Sequence, residues 1–261
     1  MDRFFGLVAP DDGWVPSIRY LLRRARILSI FDRLPATDLL EVGCGAGALL
    51  ADFAMRGFNC IGLESSTRAT VLARHLASRL GDPYRVVSDP DTTWQSLFGV
   101  VCAFDVLEHI EDDNGAIERW RTWLRPGGTF MLSVPAHPKR WNEGDIWAGH
   151  YRRYERASLL ELLSSHGLRV VHCECYGFPL ANFTEWVGRS TYRKLLAQRD
   201  AETGKELASS ESGIARDMYS RHFSKINSIA GRFALRANFL LQHLTRHTNW
   251  GSGYLVVASQ G

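Results

Sequence analysis

The sequence predicts an α/β fold in which a seven-stranded, mostly parallel sheet carries helices on both faces. Apolar runs alternate with helix-like segments along the chain, a pattern typical of parallel strands connected by helices. A glycine-rich turn, Glu41-Val-Gly-Cys-Gly-Ala-Gly47, joins the first apolar run to a helix-like run. The chain has 261 residues, of which 45% are hydrophobic. That is enough to bury one sizeable core, so we expect one domain with appendages.

The strands are predicted at 38–43, 59–64, 84–88, 100–105, 129–134, 169–176 and 253–259. Around them we expect an N-terminal helical lid (1–35), a core (36–178), a helical insertion (179–249) and the last strand (250–261). The lid prediction rests on the helical spacing of the apolar residues Ile18, Leu21, Leu22, Ala25 and Leu28. A helix that only covers core surface fits the same spacing.

A direct hairpin between the last two predicted strands would need a loop of only a few residues, so the long segment between them is an insertion. Within it, Leu195-Leu196 and the segment 233–244 predict helices, whereas the polar segment 200–212 predicts a mobile loop. Residues 185–246 contain 11 Lys or Arg against 6 Asp or Glu. This excess of positive charge could attract an acidic substrate, nucleic acid or an anionic lipid surface, and it equally fits a solvated face.

Composition narrows the class of protein. No apolar run approaches the roughly 20 residues that span a bilayer, and the first five residues lack an apolar signal core. We therefore expect a soluble, cytoplasmic protein. The number of cysteines, five, is odd. We expect those in or beside the predicted strands to be reduced and to pack as small hydrophobic residues. Cys173 and Cys175 would share one face of a strand, where packing is favoured over a metal or redox role.

The glycine turn predicts a nucleotide-like ligand. Gly43, Gly45 and Gly47 allow a sharp turn and a close approach of the backbone, and the next helix presents its first amides to an anionic group. Glu64 ends the second strand 21 residues after Gly43, a distance at which a carboxylate can accept both hydroxyls of a ribose. A P-loop would need Gly-Lys-Ser/Thr, and the turn is one residue short of the dinucleotide pattern.

Four ordered segments resemble class I S-adenosylmethionine-dependent methyltransferases. They are the glycine turn, Gly62-Leu-Glu64, Phe104-Asp-Val-Leu-Glu-His-Ile110 and the segment 124–135. The resemblance implies a Rossmann-like fold with S-adenosyl-L-methionine as cofactor. It assigns the methionine part of the cofactor to the glycine turn, the ribose to Glu64 and the adenine to Asp89. Glu41 and Asp105 complete the predicted cofactor-binding set.

Two segments carry the predicted chemistry, at the carboxyl ends of strands four and five. Asp105, Glu108 and His109 offer two carboxylates and an imidazole, enough for a general base or a metal site. The second segment, Gly149-His150-Tyr-Arg-Arg-Tyr154, is rich in groups that bind polar substrates. His109 and His150 are the candidate catalytic bases, because imidazole titrates near neutrality.

Further residues of the second segment are predicted to bind the substrate: Trp141, Tyr151, Arg153 and Tyr154. Arg153 equally fits an anchor between the loop and a core carboxylate. The two segments together resemble a bacterial methyltransferase subgroup whose members act on small molecules, glycans or lipids. This similarity does not fix the substrate.

A more distant similarity concerns a metal. Ubiquinone-pathway O-methyltransferases and small-RNA 3′-terminal 2′-O-methyltransferases hold a divalent ion on an acid-x-x-Glu-His segment, with a later histidine in some members. Asp105, Glu108, His109 and His150 would occupy these positions, although Asp105 replaces the more usual glutamate and shortens the reach. Our expectation is a site without metal, with this set as the alternative.

The predicted function is methyl transfer from S-adenosyl-L-methionine to an oxygen or nitrogen of a small-molecule metabolite, such as a natural product, glycan or lipid precursor. We expect a small-molecule acceptor and no nucleic acid partner. Two alternatives stay open: a metal-assisted 2′-O-methyltransferase of an RNA terminus, and a non-catalytic cofactor-binding regulatory module.

Overall fold

The computed structural model describes residues 1–198 and 217–260. The strands are β1 (Asp38–Val42), β2 (Asn59–Leu63), β3 (Tyr84–Val87), β4 (Phe98–Phe104), β5 (Leu124–Pro135), β6 (Leu168–Tyr176) and β7 (Gly253–Gln260). The helices are α1 (Ile18–Phe31), α2 (Ala48–Ala54), α3 (Thr67–Arg79), α4 (Asp113–Trp123), α5 (Glu143–Ala148), α6 (Arg156–Ser165), α7 (Leu180–Ala197), α8 (Asp217–Asn227) and α9 (Ile229–Thr245).

The seven strands form one sheet in the order β3-β2-β1-β4-β5-β7-β6. β7 runs antiparallel to both of its neighbours, and the pairs from β3 to β5 are parallel. The predicted Rossmann-like, mostly parallel sheet is therefore confirmed. The fifth strand begins five residues earlier than predicted, because Leu124 pairs with Phe98 ahead of a register shift and the Gly127-Gly128 pair lies inside the strand.

Alternate residues of the strands contribute side chains to two apolar cores, one on each face of the sheet. Every residue of β4 is buried, as expected of a central parallel strand. Cys102 packs with α1, α2 and α3 in one core, which includes the stacked rings of Phe31 and Phe53 at 4.0 Å. Val101 packs with α4 and α6 in the other. Helices on both faces thus leave the ends of the strands as the place for a ligand.

Two buried ion pairs connect α1 to α2 and to β6. Arg24 donates from Nε to Asp52 of α2 over 2.6 Å, and Arg26 donates to both carboxylate oxygens of Glu174 on β6 over 2.7 and 2.9 Å. Helix α1 begins after Ser17, whose hydroxyl accepts from the Tyr20 amide. Of the predicted lid, only Ile18–Phe31 forms an α-helix. The lid role of residues 1–35 stays a prediction.

The insertion between β6 and β7 contains α7, α8 and α9. Leu195 and Leu196 lie in α7, and the segment 233–244 lies in α9; the polar segment 200–212 is outside the described residues. Buried Gln242 ties α9 to the fold, donating to the Leu22 carbonyl at 3.0 Å and accepting from the Gly177 amide at 3.2 Å. In the ranges that the structure describes, no helix has the length and apolar character needed to cross a membrane.

Candidate active site

The glycine turn after β1 has the backbone that its residues predict. Gly43, Gly45 and Gly47 all have positive φ, at 66°, 55° and 72°. A Cβ on Gly43 would lie 2.5 Å from Val106 Cγ2, whereas a Cβ on Gly45 would meet nothing within 4 Å. Gly43 is therefore required by packing, and Gly45 leaves its backbone open to a ligand.

A cavity of about 590 Å³ lies beside this turn, at the carboxyl ends of β1 and β4 where the strand order reverses. Among the predicted site residues, its lining includes Glu41, Gly43, Gly45, Asp105, Glu108, His109, His150 and Arg153. Those outside its lining are Gly47, Glu64, Asp89, Trp141, Tyr151 and Tyr154. Cofactor-binding and catalytic candidates from three separate segments thus share one space.

Glu64 braces the glycine turn from the end of β2. Its Oε2 accepts from the Gly45 amide at 2.8 Å, and its Oε1 accepts from the Ser66 amide at 2.9 Å. The side chain is buried but each oxygen keeps a second lone pair, so a ribose can still be accepted here. Asp89 follows β3 and is exposed. Its assignment to the adenine stays a prediction.

Two buried carboxyl groups in the cavity have oxygens without a hydrogen-bond partner among the described residues. Glu41 Oε2 and both carboxyl oxygens of Glu108 have none among the described residues. Burial raises the pKa of Glu41 well above its ordinary value. Burial, and then the charge of Asp105, does the same to the pKa of Glu108. Buried polar groups in native proteins are normally satisfied, so these oxygens point to a ligand.

The two candidate histidines meet edge to face. The ring centroids of His109 and His150 are 4.6 Å apart, with an angle of 86° between the planes. Burial, followed by the neighbouring His150, lowers the pKa of His109 to about 3. His109 Nδ1 has no partner in the part of the chain that is described. His109 is therefore a neutral imidazole at physiological pH.

A buried network orients His150. Its Nδ1 lies 2.9 Å from Asp145 Oδ1, and Arg153 pairs with the same carboxylate at 2.8 Å from both Nε and Nη2. Burial alone would raise the pKa of Asp145, but hydrogen bonds from His150 and Arg153 outweigh it and lower that pKa to about 2. Arg153 also forms an ion pair with Glu185, with its Nη2 atom 3.0 Å from Glu185 Oε1. Arg153 thus anchors the loop from inside the cavity wall.

Two arginines of α1 also line the cavity. Arg19 Nε lies 3.6 Å from Asp105 Oδ2, and Arg23 forms a closer ion pair with the same oxygen. Burial would raise the pKa of Asp105, but Arg23, Arg19 and a hydrogen bond from Ser133 lower it to about 2. Asp105, predicted to bind cofactor, is therefore engaged by the protein itself. The Nε atoms of both arginines have no hydrogen-bond acceptor within the described ranges.

The alternative metal set assembles in part. Glu108, His109 and His150 each offer one ligand atom, and these atoms lie within 4.8 Å of one another. Asp105 is not in this group, because it pairs with the arginines of α1. One carboxylate and two imidazoles suit a divalent transition-metal ion, and the partnerless Glu108 oxygens fit such a ligand role.

The remaining substrate-binding candidates lie away from the cavity. Tyr154 is buried, and its hydroxyl donates to Asp113 Oδ2 at 3.0 Å, so it packs within the second core. The Tyr151 amide donates to the Glu108 carbonyl at 2.7 Å, which ties the two catalytic segments together. Trp141 is partly exposed next to α5. Substrate binding by these three side chains stays a prediction.

Sequence reasoning missed Arg19, Arg23 and Asp145. The arginines are spaced i, i+4 on α1, which is a visible signal, but such a pair normally marks a solvated helix face. Asp145 is the N3 residue of the capping box whose N-cap is Asn142. A capping box predicts where a helix starts, but it does not predict that the N3 carboxylate will pair with a histidine.

Known proteins match both the sequence and the fold. The methyltransferase domain family matches residues 17–173, more than half of the chain. The ubiquinone biosynthesis O-methyltransferase of Nitrobacter winogradskyi is 32% identical over 114 residues, covering 43% of this chain and 42% of the relative. That of Paramagnetospirillum magneticum is 34% identical over 95 residues, covering 36% and 38%. The aligned part is thus less than half of either curated relative.

Solved structures share the architecture at low sequence identity. YcgJ protein from Bacillus subtilis has a TM-score of 0.56 at 14% identity, covering 91% of this chain and 98% of that one. Haemonchus contortus phosphoethanolamine N-methyltransferase 2, in complex with S-adenosyl-L-methionine, has a TM-score of 0.55 at 17% identity, covering 91% and 52%. The chain belongs to the methyltransferase domain family, with the Rossmann-like fold of S-adenosyl-L-methionine-dependent methyltransferases.

Proposed function

We propose that the protein transfers the methyl group of S-adenosyl-L-methionine to a hydroxyl oxygen of a small molecule. The observation that carries the proposal is one cavity shared by the glycine turn, with Glu41 at its start, and by the His109–His150 pair. The relatives named O-methyltransferases favour oxygen over nitrogen as the acceptor atom.

The cofactor end of the cavity is built from Glu41, Gly43 and Gly45, with Glu64 just behind the turn. The open side of Gly45 admits the cofactor against the backbone. A sulfonium methyl group is already activated, so the protein has to align the acceptor in line with it, remove a proton and exclude water.

His150 is the better candidate base of the two histidines. Asp145 is ionised and accepts a hydrogen bond, which places the His150 proton on Nδ1 and leaves Nε2 to take the acceptor proton. His109 has a pKa of about 3 and is a poor proton acceptor at neutral pH. His109 is assigned to positioning, by hydrogen bonding to the acceptor.

A second candidate function is metal-assisted methyl transfer. The grouping of Glu108, His109 and His150 within 4.8 Å favours it, and these three residues would hold the ion. The chemistry that a divalent ion supplies is polarisation of an acceptor oxygen, which lowers the pKa of the hydroxyl. In that case His150 serves as a ligand, and its hydrogen bond to Asp145 fixes the ring and its tautomer.

The test is transfer of an isotope-labelled methyl group to pools of phenols, sugars, lipid precursors and short RNAs. We expect label in a low-molecular-weight hydroxyl compound, with a mass gain of one methylene. His150→Ala should reduce the labelling by at least about 100-fold, whereas His166→Ala, at the end of α6 and outside the cavity, should not. Label in RNA alone would instead favour the RNA-terminus alternative, and label on nitrogen would contradict the proposed acceptor.

A further inference from the structure

Helix α9 turns an apolar face to solvent. Ile229, Phe233, Leu240 and Leu244 are 91%, 74%, 60% and 66% exposed. At 3.6 residues per turn they lie within about 60° of one another around the helix. We call these four residues the α9 apolar face. Leu235 and Gln242 on the opposite side are buried against the fold. A helix with apolar residues on its inner and outer sides needs a second apolar environment.

This face begins close to the opening of the cavity. Ile226 lines the cavity, and Ile229 follows three residues later at the start of α9. On α7, Phe183 and Val187 also line the cavity and are exposed. Exposed apolar side chains thus occur on the cavity-lining helix α7 and on α9, which follows directly after the end of α8 that carries Ile226.

Arginines border one edge of the α9 apolar face. The helix contains Arg232 and Arg236 and no acidic residue. By helical geometry both arginines project beside Ile229 and Phe233. Arg232 reaches Asp2 at 3.0 Å, and the Arg236 guanidinium lies 5.5 Å from the centre of the Phe4 ring. A strip of aliphatic and aromatic side chains beside arginines is complementary to a bilayer with anionic headgroups.

A second copy of the chain complements this face less well. A two-fold contact would bring α9 against α9, because such an interface pairs the same patch on both subunits. The two copies of Arg236 would then lie at the same interface, and α9 carries no acidic residue to oppose them; Arg232 is already paired with Asp2. Like charges at an interface disfavour association. An anionic lipid surface has the opposite charge and also accepts the apolar side chains.

We infer that the α9 apolar face, with Arg236 beside it, binds the surface of an anionic lipid bilayer, next to the cavity-lining end of α8. The helix lies in the plane of the interface with its apolar side chains at the headgroup boundary. The inference does not depend on the proposed methyl transfer, because it concerns a surface outside the cavity.

The experiment is flotation of the full chain with vesicles of phosphatidylcholine, alone or mixed with phosphatidylglycerol. The wild type should float with the mixed vesicles and be released by high salt. Combined Phe233→Gln, Leu240→Gln and Leu244→Gln should reduce the bound fraction at least about tenfold. Arg236→Gln should weaken binding by about fivefold.

A matched control is Val71→Gln, an equally exposed apolar residue on α3, which should bind like the wild type. Because the substituted side chains face solvent, the variants should keep the wild-type circular dichroism. A wild type that does not float with the mixed vesicles would overturn the inference, as would a triple variant that floats equally well. Light scattering that shows a dimer in the wild type and a monomer in the triple variant would assign the face to a second copy.

Discussion

Asp145 Oδ1 lies 2.9 Å from His150 Nδ1, and Arg153 pairs with the same carboxylate through its Nε and Nη2 atoms. The pair joins the start of α5 to the loop that follows it, five residues along the chain. The carboxylate is buried and stays ionised, so the imidazole is fixed in one tautomer before any substrate arrives.

Removing the candidate base should slow transfer without affecting cofactor binding. General base catalysis contributes about 10²- to 10⁴-fold, so we expect His150→Ala to lower kcat by that factor. Asp145→Asn should lower kcat as well, because the amide no longer fixes the His150 tautomer. Steady-state kinetics and calorimetry with S-adenosyl-L-methionine provide the two readouts. Unchanged kcat in His150→Ala would contradict the assignment of the base.

Glycine substitutions separate backbone strain from loss of the ligand site. Gly45 and Gly167 both have positive φ, and an added Cβ meets nothing within 4 Å at either position. Each change to alanine should therefore destabilise the fold by about 1–2 kcal/mol. Gly45→Ala should also weaken cofactor binding, because the new methyl group occupies the approach to the backbone. Urea denaturation and calorimetry on both variants check this; equal cofactor affinities would remove Gly45 from the site.

The Arg26–Glu174 pair should make stability depend on pH. Burial would raise the pKa of Glu174, but His172 and Arg26 outweigh it and lower that pKa below the ordinary 4.5. The pair therefore stabilises the fold above the unfolded pKa, and this contribution is lost as pH falls toward the lower folded pKa. Arg26→Met should cost about 3 kcal/mol at neutral pH, because the buried carboxylate loses its arginine and keeps only the hydrogen bond to His172.

Urea denaturation at neutral pH and near pH 4 measures this effect. Glu174→Gln should flatten the change in unfolding free energy between the two conditions, since the neutral amide does not titrate. A Glu174→Gln variant with the full wild-type pH dependence would show that other groups produce it.

Chelation separates the two candidate mechanisms. The base mechanism predicts that transfer survives treatment with EDTA and removal of the chelator. A thermal-shift titration with Mn²⁺ or Zn²⁺ adds a readout that does not depend on activity. A metal-stabilised wild type whose stabilisation disappears in Glu108→Gln, while the exposed Glu111→Gln control keeps it, would support the metal-assisted alternative.

The sequence predicted the sheet well because buried parallel strands are continuous apolar runs, as in Phe98–Phe104. It also brought His109 and His150 to one site, since the ends of neighbouring parallel strands converge. The environment of α1 was not predictable in the same way. Arg19 and Arg23 lie in the cavity because α1 is packed against α2, α7 and α9 together, which no local pattern records.

Tertiary contacts also decided that neither Tyr151 nor Tyr154 lines the cavity. Tyr151 and Tyr154 are the same residue type in the same loop segment, so the sequence does not distinguish them. In the structure, Tyr154 pairs with Ala136 through a bridge beside β5 and is directed into the core. A loop sequence alone does not specify this direction. The capping box at Asn142 likewise did not reveal that Asp145 would reach His150.

The central claim is that the glycine turn and Glu64 form an S-adenosyl-L-methionine site. Isothermal titration calorimetry of the wild type and Glu64→Ala tests it most directly, with Glu118→Ala on the exposed side of α4 as control. We predict one binding site in the wild type and the control. Glu64→Ala should lose about 1–3 kcal/mol of binding free energy, because two ribose hydroxyls lose a charged acceptor. Absence of binding to the wild type, or equal affinity in Glu64→Ala, would contradict the account.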